Sequence, residues 1–276
     1  MSRIEEALEK ANKLRGEHNS EATTEITASA PVNEIFKTEP SISIDNPYLV
    51  TVTEPDSPVA EEYRKLKSMV VNITKRGNFQ NTLMVTSTIG GEGKTLTALN
   101  LAITLSQEYD HTVLLVDADL RQPTIHRYLG MDPEKGLSDC LSNGKDIGSV
   151  LIKTGMGKLV VLPSGSRVSN PVELLSSNKM KELVKELKHR YADRYVIIDT
   201  PPILPFAEAH AIGSVVDGVI FVVKERHASL NNIKDALGLL KDTNVLGVVY
   251  NNVDIEGVDN YYQYYYHRST NRKRGR

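Results

Sequence analysis

A chain of 276 residues, 40% hydrophobic and 25% charged, has the make-up of an ordinary globular protein with one large domain and room for appendages. Its formal net charge of −2 argues against a nucleic-acid partner, and its one cysteine, Cys140, excludes an intramolecular disulfide framework. The opening MSRIEEALEK has acids where a secretory leader needs apolar residues, and no apolar run reaches the ~18–20 residues that span a bilayer, so membrane association is expected through a partner.

In chain order, Ser2 and Glu5 form a capping-box pattern, and Ile4, Ala7, Leu8, Ala11 and Leu14 recur at helical spacing. This predicts an amphipathic docking helix over 1–16. Residues 17–54, rich in Ser, Thr, Glu and Pro, read as a disordered linker. Ser57-Pro58 then opens a helix running to about residue 75. Beyond it strands and helices alternate: TLMVTS (82–87), a helix from Lys94, TVLLVDA (112–118), KLVVLPS (158–164), a helix near 177–190, YVIIDT (195–200), GVIFVV (218–223), a helix near 229–242, and NVLGVVYN (244–251). The strands are short, β-branched and apolar on both faces, which predicts a three-layer α/β fold with a mainly parallel central sheet over 55–256. Residues 257–276 form a tyrosine-rich, basic tail expected to be flexible.

Strand TLMVTS leads through TIGGEGKT into a helix, the order a phosphate-binding P-loop requires, although Thr88 stands where the pattern's first glycine belongs. Gly90, Gly91 and Gly93 let backbone amides curl round phosphate oxygens, Lys94 supplies a point charge, and Thr95 offers a hydroxyl to Mg2+. Nucleotide contacts are therefore expected at Gly90, Gly91, Glu92, Gly93, Lys94, Thr95 and Leu96, in a P-loop NTPase fold. Asp117 and Asp119 end one apolar strand and Asp199 another, where open α/β sheets bind ligands. Alone such acids read as solvated turn residues. Beside a P-loop, three carboxylates plus Thr95 make the oxygen environment that Mg2+ prefers.

VTSTIGGEGKT, LLVDADLRQPTIH and VIIDTPP resemble the Walker A, Walker A′ and Walker B motifs of the bacterial tyrosine kinase (BY-kinase) family, over about residues 55–266. The resemblance implies a non-specific protein-tyrosine kinase that uses ATP and Mg2+. It assigns Lys94, Asp117, Asp119 and Arg121 to catalysis, Thr95 and Asp117 to the metal, and Asp199 to an outer-sphere metal role. It makes Tyr261, Tyr262, Tyr264, Tyr265 and Tyr266 phosphoacceptors. Glu61, Arg64 and Lys67, spaced by three, are similar to the family's E-x-x-R-x-x-R subunit contact, which implies a homo-oligomeric ring; a solvated helix face is the other reading of those charges. The family setting also implies a membrane-bound activator of chain-length-determinant type, an opposing tyrosine phosphatase, and a place at the cytoplasmic face of the membrane in exopolysaccharide synthesis or export. The opening MSRIEEALEKA is similar to the autokinases of exosortase-linked systems.

Three departures stand out. Gly90 occupies a loop position where the family often has proline, Lys67 replaces the last arginine, and Gln263 is the only spacer within YYQYYY. An aromatic strand docked on the sheet edge, or an adhesive tail, is the alternative for the tyrosines. The terminal cations, Arg268, Arg272, Lys273, Arg274 and Arg276, fit a solvated end or a membrane-surface patch. Two other functions share these motifs: a MinD/ParA-type ATPase and a nucleotide-gated assembly scaffold. The first needs a signature lysine where this chain has Ile89.

Overall fold

The structure, a computed structural model, describes residues 46–253 apart from 192. The expected docking helix, most of the expected linker, and the tail with its tyrosines and cations lie outside the described residues.

Seven strands form one sheet in the order β3-β4-β2-β5-β1-β6-β7. They are β1 (Thr82–Ser87), β2 (Thr112–Asp117), β3 (Ile152–Lys153), β4 (Leu159–Leu162), β5 (Arg194–Asp199), β6 (Gly218–Lys224) and β7 (Val245–Asn251). All pairings are parallel except that of the short β3 with β4. The central strands are buried on both faces because side chains alternate between two separate cores. Leu83, Val85, Val113, Leu115, Tyr195 and Ile197 point to one core, and Met84, Leu114, Val116, Val196 and Ile198 to the other. This is the three-layer α/β architecture the sequence predicts.

Two helices cover the first face. α2 (Pro58–Thr74) starts as expected: the Ser57 hydroxyl accepts from the Ala60 amide at 3.1 Å, and Pro58 takes the first helical position. It packs on α3 (Lys94–Ser106), which is buried along nearly its whole length. The second face is covered by short segments that the periodicity did not reveal, among them α5 (Leu137–Asn143), α6 (Pro171–Leu175) and α8 (Glu208–Gly213). At five to seven residues these are too short to show a 3.6-residue repeat. The predicted helices at 178–190 (α7) and 230–239 (α9) complete that layer. A further turn, α4 (Ile125–Tyr128), follows β2.

The expected linker ends earlier than residue 54. α1 (Val50–Thr53) is an ordered turn, and Leu49, fully buried, belongs to the core beneath α3. Asn100 of α3, itself 1% exposed, fixes this segment. Its Oδ1 accepts from the Thr51 amide (3.2 Å) and hydroxyl (2.9 Å), while its Nδ2 donates to the Tyr48 and Leu96 carbonyls, both at 3.0 Å. Every hydrogen-bonding valence of the buried amide is thus engaged. Composition hid this, because one leucine and one partner 49 residues away carry the packing.

If residues 46–53 are part of the fold, Leu49→Ala should cost roughly 2–5 kcal/mol. Val59→Ala, at an exposed position of α2, should stay within about 0.5 kcal/mol of the parent. Urea unfolding of both variants gives the comparison.

Candidate active site

The sheet order brings β2, β5 and β1 side by side, so their carboxyl ends supply adjacent walls of one site. Asp117 and Asp199 are direct register partners on parallel strands. Each has the parity of the residue two before it, Leu115 and Ile197, so both carboxylates emerge on the face that α3 covers. α3 begins at the P-loop, which places Lys94 and Thr95 over them.

The loop between β1 and α3 is braced from both sides. Gly91 and Gly93 have φ of 83° and 89°, and a Cβ on Gly93 would collide with the Asn251 amide. Gly93 is also the N-cap of α3 and brings no side chain, so the amides of the first turn are left for an anion. The Glu92 side chain turns inward, fully buried, and accepts from the Ile89 amide (2.9 Å) and the Lys224 amide (3.3 Å). Its part in the predicted nucleotide contacts is therefore confined to the backbone. Asn251, at the end of β7, donates to the Glu92 carbonyl at 2.8 Å. His227 lies 2.8 Å from the Gly90 carbonyl, and because a carbonyl only accepts, its Nε2 must carry the proton. Asn251 and His227 sit far along the chain from GGEGKT, and no motif flagged them. Leu96 is half-buried in the first turn of α3.

Lys94 lies 2.7 Å from Asp119 and 3.8 Å from Asp199. The Thr95 hydroxyl donates to Asp199 Oδ2 at 2.7 Å. Asp119 also accepts from the Gln122 amide at 3.1 Å, and Asp117 Oδ2 from the Ile125 amide at 3.3 Å. Burial alone would lower the Lys94 pKa, but attraction from Asp199, Asp119 and Asp117 outweighs it, and the ammonium is held above its usual value. The Asp117 carboxyl is driven well above the usual range, by burial first and then by Asp199 and Asp119. Burial likewise raises Asp199 to about 6, with Lys94 and Thr95 opposing the rise.

Asp117 Oδ1 and Asp199 Oδ1 are buried and have no hydrogen-bond partner among the described residues. Two buried carboxylate oxygens that accept no hydrogen bond, on residues that include the Thr95 partner Asp199, are hard donors that suit Mg2+. The expected set of three carboxylates needs correction: among the described residues no cluster of three or more His, Cys, Asp or Glu side chains is placed to hold a metal. Asp119 is taken by Lys94 and the Gln122 amide. Mg2+ characteristically uses one or two carboxylates and completes its shell with phosphate oxygens and water, so Thr95, Asp117 and Asp199 remain a suitable set.

Arg121 follows Asp119 by two residues on the segment after β2. Its Nε donates to Glu208 Oε1 at 2.6 Å, and its guanidinium lies 4.5 Å over the Phe206 ring. The α2 charges are elsewhere. Glu61 and Arg64 pair with each other at 2.6 Å, and Arg64 also reaches the Pro55 carbonyl. Lys67 pairs with Glu108, just past the far end of α3, about 20 Å from its first turn.

Residues 80–247 match the protein family described as "AAA domain". Among curated proteins, the chain is 36% identical over 206 residues to the tyrosine-protein kinase YwqD of Bacillus subtilis, spanning 74% of this chain and 85% of that one. Among solved structures it is similar to the kinase domain of the Escherichia coli tyrosine kinase ETK, with a TM-score of 0.71 and 26% identity over 85% of this chain and 86% of that one. It is also similar to the chimerical protein CapA2B2, with a TM-score of 0.69 and 30% identity over 75% and 90% of the two chains.

The raised carboxyls have a consequence for stability. Between about pH 4, where an unfolded aspartate ionises, and about 6 for Asp199, the folded chain keeps a proton that the unfolded chain has lost. Ligand-free stability therefore falls as pH rises through that window, and the raised carboxyl of Asp117 contributes in the same direction. Asp117→Asn should raise the ligand-free Tm at pH 8 by on the order of a few degrees, with a smaller gain at pH 5. Scanning calorimetry at the two pH values decides it.

Proposed function

The chain belongs to the bacterial tyrosine-protein kinase family, and from that premise we propose that it is an autokinase that phosphorylates its own C-terminal tyrosines, Tyr261, Tyr262, Tyr264, Tyr265 and Tyr266, on a neighbouring copy. The observation that carries this reading is the convergence of Lys94, Thr95, Asp117, Asp119 and Asp199 on one edge of the sheet, with two buried carboxylate oxygens that accept no hydrogen bond among the described residues.

In this mechanism the P-loop amides and the first turn of α3 hold the β- and γ-phosphates of ATP. Lys94 transfers its attraction from Asp119 to the phosphate oxygens and stabilises charge as it spreads over the moving group. The acceptor phenol oxygen bonds to the γ-phosphorus while the bond to the β-phosphate oxygen breaks, and ADP carries away the electron pair. Asp117, in its ionised form at the carboxyl end of β2 and in register with Asp199, takes the phenolic proton as the new bond to phosphorus forms. Mg2+, when bound, would neutralise phosphate charge and be held by Thr95 and Asp117, with Asp199 behind it.

The wider setting follows the same reading. A homo-oligomer, in the form of a ring, presents each tail to the next site, and Glu61 and Arg64 on α2 supply exposed charges for the contact. Lys67, paired with Glu108 of its own chain, contributes less than the motif implied. A membrane-bound activator of chain-length-determinant type recruits the kinase to the cytoplasmic face, and a tyrosine phosphatase resets it. Control of exopolysaccharide synthesis or export, in an exosortase-linked system, is the proposed role.

Two variants test the direction of transfer. Lys94→Met should fold and show no phosphotyrosine when incubated alone with ATP and Mg2+. A variant with all five tail tyrosines changed to Phe should bind ATP normally and also gain none there. Mixed together, the Phe-tail protein should phosphorylate the Lys94→Met chain, as read by mass spectrometry of the tail peptide. No signal in the mixture, with wild type active, would mean that each chain modifies only itself.

A further inference from the structure

Glu208 is a charged residue buried to 0% exposure that belongs to no sequence motif identified above. One of its oxygens, Oε1, pairs with Arg121 Nε at 2.6 Å, and the other, Oε2, is buried without a hydrogen-bond partner among the described residues. A half-satisfied buried carboxylate is costly, and breaking its one ion pair would cost more. A fold that needed only packing at this position would do better with an apolar side chain.

Its surroundings indicate what the arrangement does. The segment after β5 that leads to Glu208 is tied to the strand of the P-loop: Thr200 N donates to the Val85 carbonyl (3.1 Å), Ile203 N to Ser87 (2.9 Å) and Leu204 N to Thr88 (3.2 Å). The segment after β2 that carries Arg121 is tied to β5 through Ala118 N and the Asp199 carbonyl (2.9 Å), and to itself through Gln122 N and Asp119 (3.1 Å). The ion pair links these two fixed segments, which continue from the strands that end in Asp117 and Asp199. With Nε engaged and Cζ 4.5 Å from the centre of the Phe206 ring, Arg121 is held at two points. Nη1 and Nη2 have no partner among the described residues, and the Arg121 side chain is 36% exposed. That leaves a rigid, accessible pair of donors of the kind that binds a phosphoryl group in two places at once.

Resting on the kinase reading, we infer that Glu208 is a positioning residue. It holds Arg121, over Phe206, so that the free edge of the guanidinium receives the phosphoryl group on its way to the acceptor tyrosine. The buried charge serves turnover and not the stability of the fold.

The test is Glu208→Gln, which keeps the shape and an acceptor for Nε but removes the charge. Single-turnover phosphorylation should slow by on the order of 10- to 100-fold, while the KM for ATP stays unchanged and Tm stays level or rises. Arg121→Lys, which keeps a counter-charge for Glu208 but not the fork, should fold and slow the reaction as much, and the double variant should be no slower than either single one. A Tm that falls with activity in step with the unfolded fraction, additive losses, or unchanged rates in Arg121→Lys would each overturn the assignment. Wild type in the same assay separates the two levels of inference. No phosphotyrosine there rejects the kinase reading, whereas normal wild-type turnover with unaffected variants rejects only the role of Glu208.

Discussion

Asp117 and Asp199 face each other across neighbouring parallel strands, and the rest of the site is arranged around that repulsion. Adjacent strands lie about 4.8 Å apart, so two like charges sit at a separation that a dry interior tolerates poorly. Asp119 adds a third. Among the described residues, Lys94 is the cation paired with this group, at 2.7 and 3.8 Å from two of its members. It can act there because β1, whose loop delivers it, adjoins β5, and β5 adjoins β2. Had β1 and β2 been neighbours with β5 outside them, Asp199 would lie one strand further from Asp117 and the charge cluster would not form. Strand order is thus part of the chemistry as well as of the fold.

Such a cluster lowers the stability of the chain in the absence of ligand. The two cores on either side of the sheet offset it, with central strands buried on both faces and α3 enclosed along its length. The braces on the P-loop belong to the same balance. Glu92, Asn251 and His227 hold the backbone from three directions, so the amides point at a phosphate before one arrives. Preorganisation of this kind removes an ordering cost from binding and leaves the interaction free to act on the transition state.

How much of this the sequence disclosed depended on the range of the signal. Motifs confined to a few consecutive residues were legible: the P-loop glycines, the DAD triplet, the Ser57-Pro58 helix start, and every strand but the two-residue β3. Features made by two distant residues were not. Glu208 reads as one acid among many until Arg121 is found beside it, 87 positions away. Asn100 looks like a poor helix former inside α3 until Tyr48 and Thr51 fold back on it. Leu49 is one apolar residue in a polar stretch, and a window average erases it. Sequence periodicity measures how a segment meets a continuous surface. It carries no signal for a single buried charge or for a helix of one or two turns.

The α2 charges show the limit of reading a motif by type alone. Glu61, Arg64 and Lys67 share one broad face, yet the structure gives them different tasks. Glu61 and Arg64 form an exposed pair, with side chains 44% and 42% accessible. Pairs of that kind contribute about 0.2–1 kcal/mol, so exchanging them for partners on another subunit costs little. Lys67 is more enclosed and reaches Glu108 at the end of α3. This pair joins the outer helix to the helix that begins at Lys94, and α3 is a run of 13 residues buried between α2 and the sheet. A contact made on α2 by a neighbour would therefore press on an element whose opposite end holds the phosphate-binding lysine. In the proposed ring, assembly and the geometry of Lys94 would thus be linked through α2 and α3, with the Lys67–Glu108 pair as one contact between the two helices.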